Sequence, residues 1–131
     1  MIVIDASNSV LGRLCSATAK KLLLGEEVVI VNAEHALVTG SANTTTREFL
    51  RIRQIGSPQH GPFYPKTPER IVKRTVRGML PKTKKGVAAL KRLKVHAGNP
   101  DGQKAEQVAV KQVKTGYITI GKLAQNLGWQ K

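Results

Sequence analysis

"IVIDASNSVLGRLCSATAKKLLLGEEVVIVN", Ile2 to Asn32, decides the fold. Ile2–Ile4 is a β-branched run suited to a strand. Leu11, Leu14, Cys15, Thr18 and Leu22 then recur at spacings of three and four, which is one face of a helix. Ser7 or Ser9 is placed to cap that helix, Lys20 and Lys21 sit at its negative end, and Gly25 follows as a stop. Val28–Asn32 opens with a continuous aliphatic run, as expected of a strand buried on both faces. Strand, helix and strand within about thirty residues make a βαβ unit, whose two strands must run parallel. The class is therefore α/β.

Working outward, "ALVTG" (Ala36–Gly40) predicts a third strand, and "TTTREFLRIRQIG" a helix with Phe49, Leu50 and Ile52 among Arg47, Arg51 and Arg53. Residues 56–68 form a linker with prolines at 58, 62, 65 and 68; the last three are spaced by three, the repeat of an extended polyproline II segment. Thr67, Pro68 and Glu69 then read as cap, first helical position and acidic first turn. Residues 69–94 are a basic helical segment broken at Pro81, with Thr83 placed to cap its second part. "KVHAG" predicts another strand and "NPDGQ" a turn. Residues 99–131 read as a C-terminal extension, with a strand at Tyr117–Ile120 and a short helix in "GKLAQNLGW". The whole, 1–131, is expected to be one domain, long enough to bury about two thirds of its unfolded surface without a disulfide or metal. With 40% apolar and 4% aromatic residues, the core must be mainly Val, Ile, Leu and Ala.

Charge is the second strong signal. The chain holds 22 basic and 8 acidic residues, a net of +14. Residues 66–94 alone hold eleven of the basic residues and one acid, Glu69. Such concentration is the footprint of a polyanion-binding face, and nucleic acid is the commonest polyanion. Arg70, Lys73, Arg74 and Arg77 lie at offsets 0, 3, 4 and 7, and Val72, Val76, Met79 and Leu80 at 0, 4, 7 and 8. At about 100° per residue the two sets point in nearly opposite directions, one outward and one into the core. In the second helix Val87, Leu90 and Leu93 are expected inward, with Lys84, Lys85, Lys91 and Arg92 around them. Lys66, Lys82 and Lys94 complete the basic set. Arg13, Arg47, Arg51, Arg53, His60 and Tyr64 form a second group of RNA-binding candidates. For Phe63 and Tyr64, anchoring the linker competes with stacking on bases.

Motifs for catalysis do not assemble. The turn "DASNSVLG" carries one glycine where a dinucleotide-binding βαβ unit needs three, and no phosphate-loop motif occurs. His35, His60 and His96 stand far apart, without metal-ligand spacing. Asp5 reads as a turn residue beside Ser7, Cys15 as a small buried hydrophobe, and Trp129 as an anchor to the core or to a neighbouring protein. No cofactor, metal or small-molecule substrate is expected. The start "MIVIDASNSV" does not read as a signal peptide, and no aliphatic run is long enough for a bilayer, so the expectation is a soluble protein of a reducing compartment.

"RTVRGMLPKTKKGVAALKRLKVHAG", with "VIDASNSVLGRLCSATAKKLLLGEEVVIVNAEHALVTG" upstream, closely resembles the ribosomal protein L-thirteen family of the large ribosomal subunit. The similarity covers nearly the whole chain, and "LLLGEEVVIVNAE", "GPFYPKTP" and "YITIGKLAQNLGW" look archaeal. The resemblance implies a three-layer α/β sandwich around a mostly parallel four-stranded sheet, with a basic helix-turn-helix segment at Arg70–Lys94 on its surface. It also implies structural binding of large-subunit ribosomal RNA early in assembly, beside neighbouring ribosomal proteins in the cytoplasm, and no catalysis. The rival readings are a nucleotide-using enzyme on the βαβ unit and a DNA-binding regulator. The missing glycines speak against the first. Against the second, cations on the outer sides of both helices suit backbone contact more than base reading.

Overall fold

The computed structural model describes residues 2–55, 59, 64–99, 102, 104–107 and 116–130. Strand β1 (Ile2–Asp5), helix α1 (Leu11–Leu23) and strand β2 (Val28–Val31) form the βαβ unit, with Ile2 opposite Val28 and Asp5 opposite Val31 in parallel register. Helix α1 buries Leu11, Leu14, Cys15, Thr18 and Leu22, the predicted face, together with Ala19. Its C-terminus closes on Gly25 at φ +92°. The Gly25 N–H donates to the Leu22 carbonyl at 3.1 Å and the Glu26 N–H to that of Lys21 at 3.3 Å, the double closure a left-handed residue permits. The N-terminus departs from expectation. Val10 is the capping residue, and neither Ser7 nor Ser9 caps with its side chain. The Ser9 carbonyl accepts the Leu37 N–H at 2.8 Å, and Val10 bridges Leu37, so this stretch is committed to pairing before the helix begins.

All four residues of β2 are buried. Its second edge takes β4 (Leu93–Val95), again parallel, giving the order β1-β2-β4. The predicted "KVHAG" strand thus begins one residue early. The outer edge of β1 is partly covered: Asp5 N–H donates to the Glu106 carbonyl at 2.9 Å, and Glu106 N–H to that of Val3 at 3.0 Å.

The predicted third strand exists as β3 (Leu37–Thr39) but does not join this sheet. It pairs antiparallel with β5 (Tyr117–Thr119). Among the described residues a three-stranded parallel sheet and a two-stranded antiparallel ribbon stand where one four-stranded sheet was expected. After β2 the chain passes through Asn32, at φ +57°, and a 3₁₀ turn at Ala33–His35, and both edges of β2 are already paired with β1 and β4. Helix α5 (Ile120–Asn126) follows β5, with the Thr119 hydroxyl accepting the Lys122 N–H at 3.3 Å. Gly121 lets α5 sit against the 3₁₀ turn, because a Cβ there would stand 3.0 Å from the Glu34 carbonyl oxygen.

Helix α2 (Ala42–Gln54) starts two residues before the stretch that predicted it. Most of the polyproline segment, Phe63 included, and Pro100, Asp101 and Gln103 of "NPDGQ" lie outside the described residues. Within that last stretch, the Gly102 N–H donates to the Asn99 carbonyl at 3.3 Å.

Candidate nucleic-acid interface

Helix α3 (Pro68–Met79) carries the centre of the charge. Arg70, Lys73, Arg74 and Arg77 are all exposed, while Ile71, Val72 and Val76 are buried on the opposite face. Pro68 and Glu69 occupy the expected first turn. Thr67 holds the capping position, but its hydroxyl does not cap; it is buried with no partner among the described residues. Met79, expected inward, is 42% exposed. The backbone turns extended at Leu80 (ψ 149°), and Leu80 fills the inward place instead.

Helix α4 (Lys84–Lys91) begins four residues beyond Leu80, with Thr83 at its start but again without a side-chain cap. It does not turn Val87 inward: Val87 is 56% exposed. Leu90 is half-buried, and Leu93 is buried as part of β4. Gly86 and Ala89 make the buried face. A Cβ on Gly86 would lie 1.8 Å from the Pro81 carbonyl oxygen, so α4 meets the turn through its smallest residues. Bulky side chains are thereby kept off the contact.

Lys66, Lys82, Lys84, Lys85, Lys91 and Lys94 are exposed, Lys94 on the outer strand β4. Arg92 differs. It is half-buried, its Nη2 donates to the Leu22 carbonyl at 2.6 Å, and its Nε is buried without a partner among the described residues. It ties the end of α4 to the end of α1. In the second group, Arg13 and Arg47 are exposed. Arg51 pairs with Glu48 at 3.2 Å, and Arg53 Nη1 donates to the Leu127 carbonyl at 2.7 Å. The Arg74 guanidinium lies 4.0 Å over the Tyr64 ring, a cation–π stack that holds Tyr64 to the helix. His60 lies outside the described residues.

The structure brings part of the basic set together. Arg70, Lys73, Arg74 and Arg77 share a recess with Tyr64, Pro65 and Leu90. Arg74, Arg77 and Lys82 border a second, between α3 and α4, with Leu80, Val87 and Leu90. The sequence reading missed that second recess, for which Gly86 inside a helix was the available signal. Among the described residues Lys21 pairs with Glu106 and Arg51 with Glu48, and His35 Nε2 lies 3.4 Å from Glu34; none of these contacts takes a cation of α3 or α4. The exposed cations of these two helices are suited to phosphate, which an arginine can grip with two parallel hydrogen bonds.

Asp5, Cys15 and Trp129 serve structure. Asp5 Oδ1 accepts the Ser7 N–H at 2.9 Å and Asn32 Nδ2 at 3.1 Å, as a turn residue does. Desolvation pushes its pKa up, but the hydrogen bonds from Ser7 and Asn32 outweigh it, and the net shift is downward. Cys15 is buried, its thiol pushed up to about 12 by desolvation, and unreactive for that reason. Trp129 packs against the core, as an anchor should. Among the described residues, no three His, Cys, Asp or Glu side chains cluster as a metal site would require, and no helix is long and apolar enough to cross a membrane.

Comparison with known proteins identifies the family. The family model described as "Ribosomal protein L13" matches residues 1–102. "Large ribosomal subunit protein uL13" of Methanococcoides burtonii is 48% identical, over 98% of this chain and 98% of the relative. The protein of the same name in Methanopyrus kandleri is 44% identical over 98% and 87%, and that of Thermoplasma volcanium 46% over 98% and 98%. With a family model spanning most of its length and relatives this similar end to end, the chain belongs to the ribosomal protein L13 family.

Proposed function

We propose that this chain is a structural constituent of the large ribosomal subunit, and that it binds large-subunit ribosomal RNA through α3 and α4 and so supports subunit assembly and translation. Its family consists of structural constituents of the ribosome, not enzymes. The observation that carries the RNA reading is the division of α3: four exposed cations on one face, three buried aliphatic residues on the other. Lys66, Lys82, Lys84, Lys85, Lys91 and Lys94 extend the contact, and Arg13 and Arg47 are placed for a weaker one. We also infer that α3 and α4 act as a helix-turn-helix pair. We read the whole as a three-layer sandwich; burial of every β2 residue supports this, since it requires cover on both faces of the middle strand. The partners are ribosomal RNA and neighbouring large-subunit proteins, in the cytoplasm.

The test is salt dependence. Binding to a large-subunit RNA fragment should weaken steeply with salt, because neutralised phosphates release counterions. Replacing Arg70, Lys73, Arg74 and Arg77 together by Gln should reduce the log–log slope by about three while the protein still folds. An unchanged slope would count against this face as the contact.

A further inference from the structure

We propose that the groove between α3 and α4 holds an unpaired stretch of RNA, with one base laid on Val87 and Leu90 and the adjoining phosphates held by Arg74, Arg77 and Lys82. This rests on the RNA reading above and narrows it to one form of RNA. The groove encloses about 510 Å³, and a second recess of about 380 Å³ shares Arg74, Arg77 and Leu90 with it. Sites of that size hold groups on the scale of a small molecule.

The groove's composition is what decides its occupant. A surface that gripped only phosphates would need cations and polar groups. Here the cationic border surrounds an apolar floor: Val87 is 56% exposed, Leu90 is half-buried, and Gly78 and Gly86 add no side chain to raise it. An A-form duplex presents its phosphate ridges outward and keeps its bases stacked inside, so it has nothing apolar to lay on that floor. An extruded base has two apolar faces and stands beside its own phosphates, which matches a floor bordered by cations. Arg74 borders both recesses, and its stack on Tyr64 restrains the guanidinium, whose planar donor fork depends on orientation to hold a phosphate. Tyr64 is thus a positioning residue for Arg74. An acidic peptide would also match the border, but it would leave Val87 and Leu90 without an apolar partner.

The full chain should be titrated, at about 0.15 M salt, with two RNA hairpins that differ in one feature. One is fully paired; the other carries a single bulged 2-aminopurine, whose emission reports stacking. The bulged hairpin should bind about ten times more tightly, with a change in emission. Val87→Ser should remove that preference and leave the affinity for the paired hairpin unchanged, since Val87 is exposed and the fold does not depend on it. Arg77→Gln should weaken both. Equal affinities, unchanged emission or a preference that survives Val87→Ser would overturn the proposal. So would tight binding of a glutamate-rich peptide that Val87→Ser weakens, which would assign the groove to a protein partner. If neither hairpin binds, the RNA reading of the whole face fails with it; if both bind alike, only the groove assignment fails.

Discussion

Helices α2 and α3 are close in length, thirteen and twelve residues, and both are rich in arginine, yet α3 buries Pro68, Ile71, Val72 and Val76 while α2 buries nothing completely. The difference lies in spacing, not composition. In α3 the aliphatic residues and the cations fall on opposite sides of the cylinder. In α2, Phe49, Leu50 and Ile52 fan out around it, and at about 100° per residue Arg53 projects between Phe49 and Leu50. That cation stays partly in water while its Nη1 donates to the Leu127 carbonyl at 2.7 Å, so the side of α2 nearest the core carries a charge. Phe49 and Leu50 rest only partly on the core. A helix docks deeply when its charges leave one side clear.

The contrast breaks most sharply at Val76, fully buried on α3. Val76→Asp should cost at least about 4 kcal/mol and abolish the cooperative thermal transition, whereas Ile52→Asp on half-buried α2 should cost about 1 kcal/mol or less. Next in size is Gly86. Gly86→Ala places a methyl on the Pro81 carbonyl and should lower stability by about 2 kcal/mol, read by denaturant titration. Gly78→Ala, helical and with nothing within 4 Å of the new Cβ, should be neutral or stabilising by about 0.5 kcal/mol. Arg92→Leu should cost about 1.5 kcal/mol by removing a charge-assisted hydrogen bond to the Leu22 carbonyl, an effect present without RNA and therefore separable from binding. The smallest effect belongs to α2. Arg47→Gln with Arg51→Gln should move stability by less than about 0.5 kcal/mol and the salt slope by about one, well short of the change expected for α3.

How far the sequence could be read follows from the same physics. The βαβ unit and the two faces of α3 were legible because each repeats a simple period over three or more turns or a full strand. The inward face of α4 was not. Over two turns the largest apolar residues looked like the core, but Gly86 and Ala89 are what packs. The pairing of β3 with β5 was hidden as well, because a three-residue strand carries no mark of a partner eighty residues away. In the candidate interface, the cations of α3 were identified by offset alone. Arg92 was counted with them because a charge count cannot see that its guanidinium is tied to the end of another helix.

The concentrated positive charge of α3 and α4 has a consequence for the free chain. Like charges held close on a fixed scaffold repel, and this repulsion opposes the compact state. RNA that binds only the folded form relieves it and adds stability by mass action, about 2.7 kcal/mol at a concentration one hundred times the dissociation constant. On the function proposed above, folding and assembly would be thermodynamically linked, and copies made in excess of RNA would be the ones that unfold most readily and are open to proteolysis.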